Sequence, residues 1–187
     1  MPKLAQYKEC TGCMACVDSC SHNALQATLN KEGHIVPLID ESKCVNCKLC
    51  ERVCPVVSKL PYSQSPVASS FAGWAKDKVV RKNSATAGAF SALAQYVFSK
   101  GGVVCGASNV DGVLVKHICI EKVDELNKLQ GSKYTQSNAE GIYKTVSVNL
   151  KQGKLVLFSG TGCQVAGLYG YLGKRKYSGR LITVDLI

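Results

Sequence analysis

The chain has 187 residues, of which 46% are hydrophobic and 19% charged, with a net charge of +10 and eleven cysteines. This length is enough for one large domain or two small ones with buried cores, and the ordinary hydrophobic content excludes long disorder. No run of 18 apolar residues occurs, and the first residues lack the apolar stretch of a secretory signal. We therefore expect a cytoplasmic protein whose cysteines are reduced, which favours metal sites over disulfides.

The cysteines and the charge divide the chain in the same place. Eight cysteines lie between Cys10 and Cys54, and residues 1–60 carry a net charge of +1 against +9 for residues 61–187. Residues 58–66 are rich in proline and serine, which is typical of a linker. We predict two domains, residues 1–61 and 62–187.

The first domain contains an internal repeat of four cysteines. The spacing of the first four recurs 34 residues later, giving the two sets Cys10, Cys13, Cys16, Cys20 and Cys44, Cys47, Cys50, Cys54. This is the bacterial ferredoxin pattern, in which three cysteines hold one four-iron, four-sulfur cluster and the fourth holds the other. We predict two such clusters, one bound by Cys10, Cys13, Cys16 and Cys54, the other by Cys44, Cys47, Cys50 and Cys20. Zinc fits this spacing poorly, because its sites commonly use two separated cysteine pairs.

Neighbouring residues fit the same interpretation. Gly12 lies where the backbone must pass close to a cluster, and Pro55 follows the last cysteine, although Ser21 replaces the equivalent proline in the first copy. The fourth cysteine of each copy is expected to begin a helical turn. Residues 24–29 and 30–38 predict a strand, a turn and a strand between the copies. The fold class predicted here is an α+β ferredoxin-like dicluster domain.

The second domain alternates predicted strands and helices, which indicates an α/β fold. In chain order we predict a strand over residues 67–75 with Phe71 and Trp74 in the core, a short helix over 77–82 and an amphipathic helix over 89–100. Strands follow over 103–107 and 113–120, then helices over 124–129 and 139–150. A buried strand over 154–158, a helix over 164–172 and a strand over 181–187 complete the pattern.

Three loops of this domain carry candidate binding residues. Residues 159–164 join a buried strand to a helix, and the glycines and the helix N-terminus there suit either a phosphate group or ordinary helix capping. The same two interpretations apply to residues 83–88, and Lys133 places a cation beside Tyr134 in a third loop. The candidate cofactor-binding residues on these loops are Ser84, Thr86, Gly88, Lys133, Gly160, Thr161, Gly162 and Gln164.

The three cysteines outside the repeat receive separate interpretations. Cys105 and Cys119 lie in apolar strands and are predicted to be buried thiols that pack as small hydrophobic side chains. Cys163 lies at a helix N-terminus, where it is a redox or cofactor-contacting group, a further cluster ligand or a packing residue.

The whole chain resembles the coenzyme F420 hydrogenase/dehydrogenase beta-subunit family, in the branch with an N-terminal dicluster ferredoxin domain. The resemblance depends on residues 84–90, 101–106, 131–134, 158–168 and 184–186, in this order behind the cysteine repeat. Thr86 and Ala87 stand where the family usually has serine and glycine, and Gly162 stands where it has proline. Family sequences continue beyond Ile187 with a Cys-His-Gly segment, so we expect this chain to be an N-terminal fragment.

The resemblance implies a flavoprotein oxidoreductase that binds FAD or FMN besides the two clusters. Such an enzyme passes electrons between the clusters and a small organic acceptor such as a deazaflavin, and works with a redox partner protein or subunit. The alternative is an electron-transfer module without its own flavin. The charge of +9 in the second domain suits an acidic cofactor or partner but equally suits solubility, and no basic run with interleaved aromatic residues indicates nucleic-acid binding.

Overall fold

The computed structural model describes residues 1–58 and 69–186, so most of the predicted linker lies outside the described residues. The dicluster region consists of two short helices and one hairpin. Its elements are α1 (Ala15–Ser19), β1 (Leu25–Leu29), β2 (Ile35–Ile39) and α2 (Leu49–Val53). β1 and β2 pair antiparallel from Leu25 opposite Ile39 to Leu29 opposite Ile35, as the strand–turn–strand prediction expects.

The fourth cysteine of each copy ends a helix instead of beginning one. Cys20 and Cys54 follow α1 and α2 in extended conformations, and the amide of each donates to a carbonyl three residues earlier in its helix. The helical turn therefore lies between the third and the fourth cysteine and separates their sulfur atoms.

The second region contains a four-stranded mixed sheet with helices on both faces. Its helices are α3 (Lys78–Lys82), α4 (Ala89–Ser99), α5 (Ile142–Lys151) and α6 (Gly162–Leu172). Its strands are β3 (Val103–Val110), β4 (Leu114–Ile120), β5 (Leu155–Thr161) and β6 (Arg180–Leu186), in the order β4-β3-β5-β6. β4 runs antiparallel to β3, whereas β3, β5 and β6 are parallel. The α/β prediction is confirmed.

Alternation along the strands builds a core on each face of this sheet. Val104 and Leu157 face α4 and a 3-10 helix (Val123–Lys128), where they pack with Ala94 and Val97. The other core lies against α5 and α6 and also includes α1, α2 and β1, the elements of the dicluster region. Its buried members include Cys13, Cys16 and Cys50 of the repeat, so a single hydrophobic core joins both predicted domains.

The predicted strand over residues 67–75 is wrong for the part that the structure describes. Residues 69–75 form no strand, and Phe71 and Trp74 are 92% and 66% exposed instead of lying in the core. Apolar composition suggested a strand here, but no neighbouring strand pairs with these residues among the described ones.

The prediction of free thiols at Cys105 and Cys119 is also wrong, because these two cysteines form a disulfide. Cys105 on β3 lies directly opposite Cys119 on β4, with 4.0 Å between the two Cα atoms. The sequence predicts both strands, but it does not give the register that places Cys105 opposite Cys119, and the expected reducing compartment favours free thiols. Among the described residues, no helix has the length and apolar character that crossing a bilayer requires.

Candidate functional site

The eight cysteines of the repeat line two cavities. Cys10, Cys13, Cys16 and Cys54 surround the first, together with Leu4 and Pro37. Cys20, Cys44, Cys47 and Cys50 surround the second, together with His22 and Ile39. Each cavity thus takes three cysteines from one copy and the fourth from the other, which are the sets that the spacing predicts.

The chemistry of these cavities fits iron–sulfur clusters. Within residues 1–58 and 69–186, no three His, Cys, Asp or Glu side chains converge on a point where a single metal ion would bind. Each cysteine set instead surrounds a cavity, as a cluster of several irons requires, because each thiolate binds a different iron atom.

The backbone repeats together with the cysteines. Gly12 and Met14 adopt left-handed conformations, with φ of 65° and 63°. Their counterparts 34 residues later, Asn46 and Lys48, have φ of 55° and 60°. Two left-handed residues between the cysteines turn each loop sharply, so that it wraps its cavity.

Burial controls the ionisation of the inner thiols. Desolvation raises the pKa of Cys13 to about 12, and it raises the pKa of Cys16 further, with added repulsion from neighbouring thiolates. Since cluster ligands are thiolates, the positive charge of iron must offset this desolvation.

The two cysteine sets differ in their surroundings, since Cys13 of the first packs against the second domain and Cys47 of the second is exposed. Cys13 is buried against α6, where a Cβ atom added to Gly167 would lie 3.1 Å from the Cys13 Sγ. The Tyr143 hydroxyl on α5 donates to the Cys13 carbonyl oxygen at 2.6 Å. At the second cavity, in contrast, Cys47 is exposed and Cys44 is half-buried.

Two side chains fix the dicluster region to the second domain. Asp18 on α1 is 3% exposed, and its carboxylate accepts from the amides of Gly141 at 2.6 Å and Tyr143 at 2.9 Å. It thereby caps the N-terminus of α5, where a negative charge is favoured. Gln136 accepts from the Ile35 amide at 2.7 Å and donates to the Ile35 carbonyl at 3.0 Å, so it pairs with β2 as a peptide group would.

The predicted loop 159–164 lies where β5 ends and α6 begins, at the carboxyl edge of the parallel strands. Gly160 is buried, Gly162 is the first residue of α6, and Thr161 and Gln164 form a reciprocal capping box. The Gln164 Oε1 accepts from the Thr161 amide at 3.0 Å, and its Nε2 donates to the Ser137 Oγ at 3.0 Å. Cys163 is half-buried, with its Sγ 3.2 Å from the Thr161 hydroxyl.

The two other candidate loops meet through a chain of hydrogen bonds. The Ser84 and Ser91 hydroxyls lie 2.6 Å apart, and the Gln130 Nε2 donates to the Ser91 Oγ at 3.0 Å. The Lys133 ammonium donates to the Gln130 carbonyl at 2.7 Å, and its partial burial lowers its pKa. Gly88 precedes α4 with φ of 78°, and Thr86 lies in the short 3-10 helix before it. The structure therefore brings Ser84 and Lys133 together and holds the loop 159–164 through Ser137.

Sequence reasoning missed a buried histidine beneath the loop 159–164. His117 on β4 is 6% exposed and stacks on Phe158 with 5.4 Å between the ring centroids. Its Nε2 donates to the Ser159 carbonyl at 3.1 Å, because a carbonyl only accepts, so its Nδ1 accepts from the Ser137 hydroxyl at 2.9 Å. Burial lowers the His117 pKa to about 4, which keeps the ring neutral. No local signal marks this residue, since its partners lie 20 and 42 positions away.

Comparisons with known proteins agree with both parts of this arrangement. Residues 9–57 match the family model of the 4Fe-4S dicluster domain, which includes all eight cysteines of the repeat. Residues 70–144 match the N-terminal model of the coenzyme F420 hydrogenase/dehydrogenase beta subunit. No curated protein matches the chain. The chain therefore contains a 4Fe-4S dicluster domain followed by an N-terminal domain of the coenzyme F420 hydrogenase/dehydrogenase beta subunit.

Proposed function

We propose that this chain is the cluster-bearing part of an iron–sulfur flavoprotein oxidoreductase that exchanges electrons with an F420-like organic acceptor. The observation that carries the proposal is the position of Cys13 of the first cysteine set, which lies against α5 and α6 of the second domain. When bound, cubane clusters supply single electrons, and a flavin converts these into the two-electron chemistry that an organic acceptor needs.

The positions of the two cysteine sets suggest the path that electrons take through the protein. The second cysteine set, with Cys47 exposed, faces solvent, where a redox partner protein or subunit has access. Cys13 of the first set packs against α6, and the pKa of Cys10 and Cys13 is raised mainly by burial and in smaller part by the nearby, half-buried Cys163 of the loop 159–164. We infer that the flavin, FAD or FMN, binds along the loops that hold Ser84, Thr86, Gly88, Lys133 and residues 160–164.

Quantitation of iron, sulfide and flavin in protein purified without oxygen tests this proposal. We expect about eight irons and eight sulfides per chain from two cubanes, together with one flavin that is released by heat. Cys47→Ser should lower the iron content by about half, because it removes a ligand of the second set only. The matched control is Ser42→Ala, on an exposed turn outside both cysteine sets. Four irons or fewer in the unsubstituted protein would contradict the two-cluster part of the proposal.

The second candidate function is an electron-transfer module without its own flavin. The side-chain contacts of the candidate loops favour it, because the Gln164 amide and the Lys133 ammonium already bond to protein groups. This candidate predicts the same iron and sulfide content and no flavin, so the flavin measurement separates the two.

A further inference from the structure

The disulfide between Cys105 and Cys119 lies in an unusual chemical setting. Nine other cysteines in the chain are free, and eight of them must be thiolates if they are to bind iron. Conditions that keep these thiols reduced also expose the disulfide to thiol reductants. In proteins kept under such conditions, disulfides are usually transient and redox-sensing instead of permanent.

The two cysteines of the disulfide differ in burial, which makes Cys119 the more accessible of the two. Cys105 is fully buried on β3, whereas Cys119 on β4 is only partly buried. β4 is an outer strand of the four-stranded sheet, and Cys119 lies beyond the stretch, Val115 to His117, where Asn138 pairs with its outer edge. A thiolate can therefore attack the Cys119 sulfur, and Cys105 is the group that leaves.

The disulfide also sits beside the hydrogen bonds that hold the loop 159–164. Cys119 and His117 lie two residues apart on β4 and so point to the same face of the sheet. On β5, Phe158 pairs with Cys105 and stacks on the His117 ring. The cross-link thus ties the strand that carries His117 to the centre of the sheet, two positions from the contacts to Ser137 and Ser159.

From this placement we propose that Cys105–Cys119 is a reversible redox site that controls the order of the loop 159–164 through His117. The reductant is a dithiol. Its first thiolate attacks the Cys119 sulfur, forming a mixed disulfide and releasing the Cys105 thiolate, which takes up a proton. Its second thiolate then attacks its own sulfur in the mixed disulfide and releases Cys119 as a thiol. The dithiol leaves oxidised to a disulfide, so two electrons and two protons are transferred to the protein.

The form with the disulfide intact (closed) and the form with it reduced (open) differ in how firmly His117 is held. In the closed form, the covalent bond fixes β4 against β3 beside the ring. In the open form, only backbone pairing holds the two strands there, so the bonds from His117 to the Ser159 carbonyl and from the Gln164 amide to the Ser137 hydroxyl open more often. The consequence for flavin affinity rests on the function proposed above, whereas the change in loop order does not.

Cysteine alkylation and amide hydrogen exchange test the proposal on the intact chain under anaerobic conditions. Protein is equilibrated with reduced or with oxidised dithiothreitol, and its iron content is checked to be equal in both samples. We expect the Cys105 and Cys119 peptides to be alkylated only in the sample treated with reduced dithiothreitol. In that sample, the amides of residues 159–164 should exchange at least about tenfold faster than in the oxidised sample. Exchange in α4, on the other face of the sheet, should stay the same.

A variant provides the second arm of the experiment. Cys105→Ala combined with Cys119→Ala should show fast exchange at residues 159–164 with either form of dithiothreitol. Reduced protein of the original sequence is its matched control, because that protein lacks only the cross-link. The proposal is overturned if the bond stays closed in reduced dithiothreitol, if both thiols are free in the oxidised form, or if the bond opens without a change in exchange. Neither readout requires a flavin, so a missing flavin would contradict the proposed function and leave this result unaffected.

Discussion

Asp18 shows how much one buried side chain contributes to this arrangement. Its carboxylate satisfies amides at the N-terminus of α5, which lies 123 residues further along the chain. Burial raises its pKa, while the hydrogen bonds from Gly141 and Tyr143 lower it and favour the charged form. The loss of such charge-assisted bonds leaves buried amides without partners, which costs more than the bonds themselves contribute.

We expect Asp18→Ala to lower the free energy of unfolding by about 2 kcal/mol, whereas Asp18→Asn should lower it less because the amide oxygen still accepts. Denaturant titration of the anaerobic, cluster-loaded protein followed by circular dichroism measures this. Asp77→Ala is the matched control, since the Asp77 carboxylate caps its own helix α3 by accepting from the Val79 and Val80 amides. Equal losses in Asp18→Ala and Asp77→Ala would show that the link to α5 contributes nothing special.

His117 predicts how stability depends on pH. Its pKa is about 4 in the folded protein and about 6.5 when unfolded, so the unfolded state binds more protons between these values. The free energy of unfolding should therefore fall as the pH drops from about 6.5 to about 4, by about 3 kcal/mol in total from this residue.

We expect His117→Gln to reduce that dependence, because glutamine still donates to the Ser159 carbonyl but does not titrate. The measurement is the thermal midpoint of the substituted protein minus that of the unsubstituted protein at each pH in this range. Acid damage to the clusters affects both proteins and therefore cancels in this difference. His34→Gln, at an exposed position on the hairpin, should keep the original dependence. A His117→Gln protein with the full dependence would contradict this assignment.

At the scale of elements, helix α6 depends on a glycine for its approach to the dicluster region. A Cβ atom at Gly167 would lie 3.1 Å from the Cys13 Sγ and 3.2 Å from the Ala15 Cβ, both closer than ordinary contact. Since Cys13 and Ala15 are packed in the core, α6 and not the cysteine loop is the element expected to move.

Gly167→Ala should therefore destabilise the protein by about 1–3 kcal/mol and lower the occupancy of the first cluster more than that of the second. Iron content and electron paramagnetic resonance of the reduced protein measure the two occupancies. Gly73→Ala is the control, because an added methyl group there meets nothing within 4 Å. Equal loss of both clusters would show that the effect is general unfolding and not contact with Cys13.

The elements that follow local patterns were predictable from the sequence, and those fixed by distant partners were not. The helix predicted over residues 89–100 corresponds to α4, because its apolar spacing and the following glycines are local. The helix predicted over 139–150 begins at Ile142 instead, after Gly141 in a left-handed conformation, where Asp18 supplies the cap. The two cysteine sets were predictable because the spacing of the repeat indicates that the fourth cysteine of each copy binds the other cluster. The Cys105–Cys119 disulfide was not, because it depends on the register in which β3 and β4 pair.

At the scale of the whole molecule, charge is unevenly divided between the two regions, whereas the main hydrophobic core is shared by both. Residues 61–187 carry a net charge of +9, and two oxidised cubanes would add about −4 to the first 60 residues. Packing, in contrast, is shared, since one core contains cysteines of the repeat together with α5, α6 and the sheet. No local pattern predicted this shared core, because it depends on contacts between residues more than 100 positions apart.

The charge distribution predicts salt-dependent association with an acidic redox protein. We expect the second-order rate constant for electron transfer from an acidic ferredoxin or flavodoxin to fall by at least about tenfold between 50 mM and 500 mM salt, because screening weakens long-range attraction. Stopped-flow absorbance at the cluster band measures this rate. Oxidation of the reduced protein by a basic acceptor such as cytochrome c should show the opposite trend or none, and a salt-independent rate with the acidic donor would contradict the prediction.

Because Cys13, Cys16 and Cys50 belong both to the cluster sites and to the main core, the stability of the whole fold should depend on the supply of iron. Without iron, protonated thiols would surround empty cavities at the centre of the molecule, and the loss of packing would spread to α5, α6 and the sheet. Such a chain would be a substrate for proteolysis during metal starvation. Iron supply would then set how many copies persist, as well as how many are active.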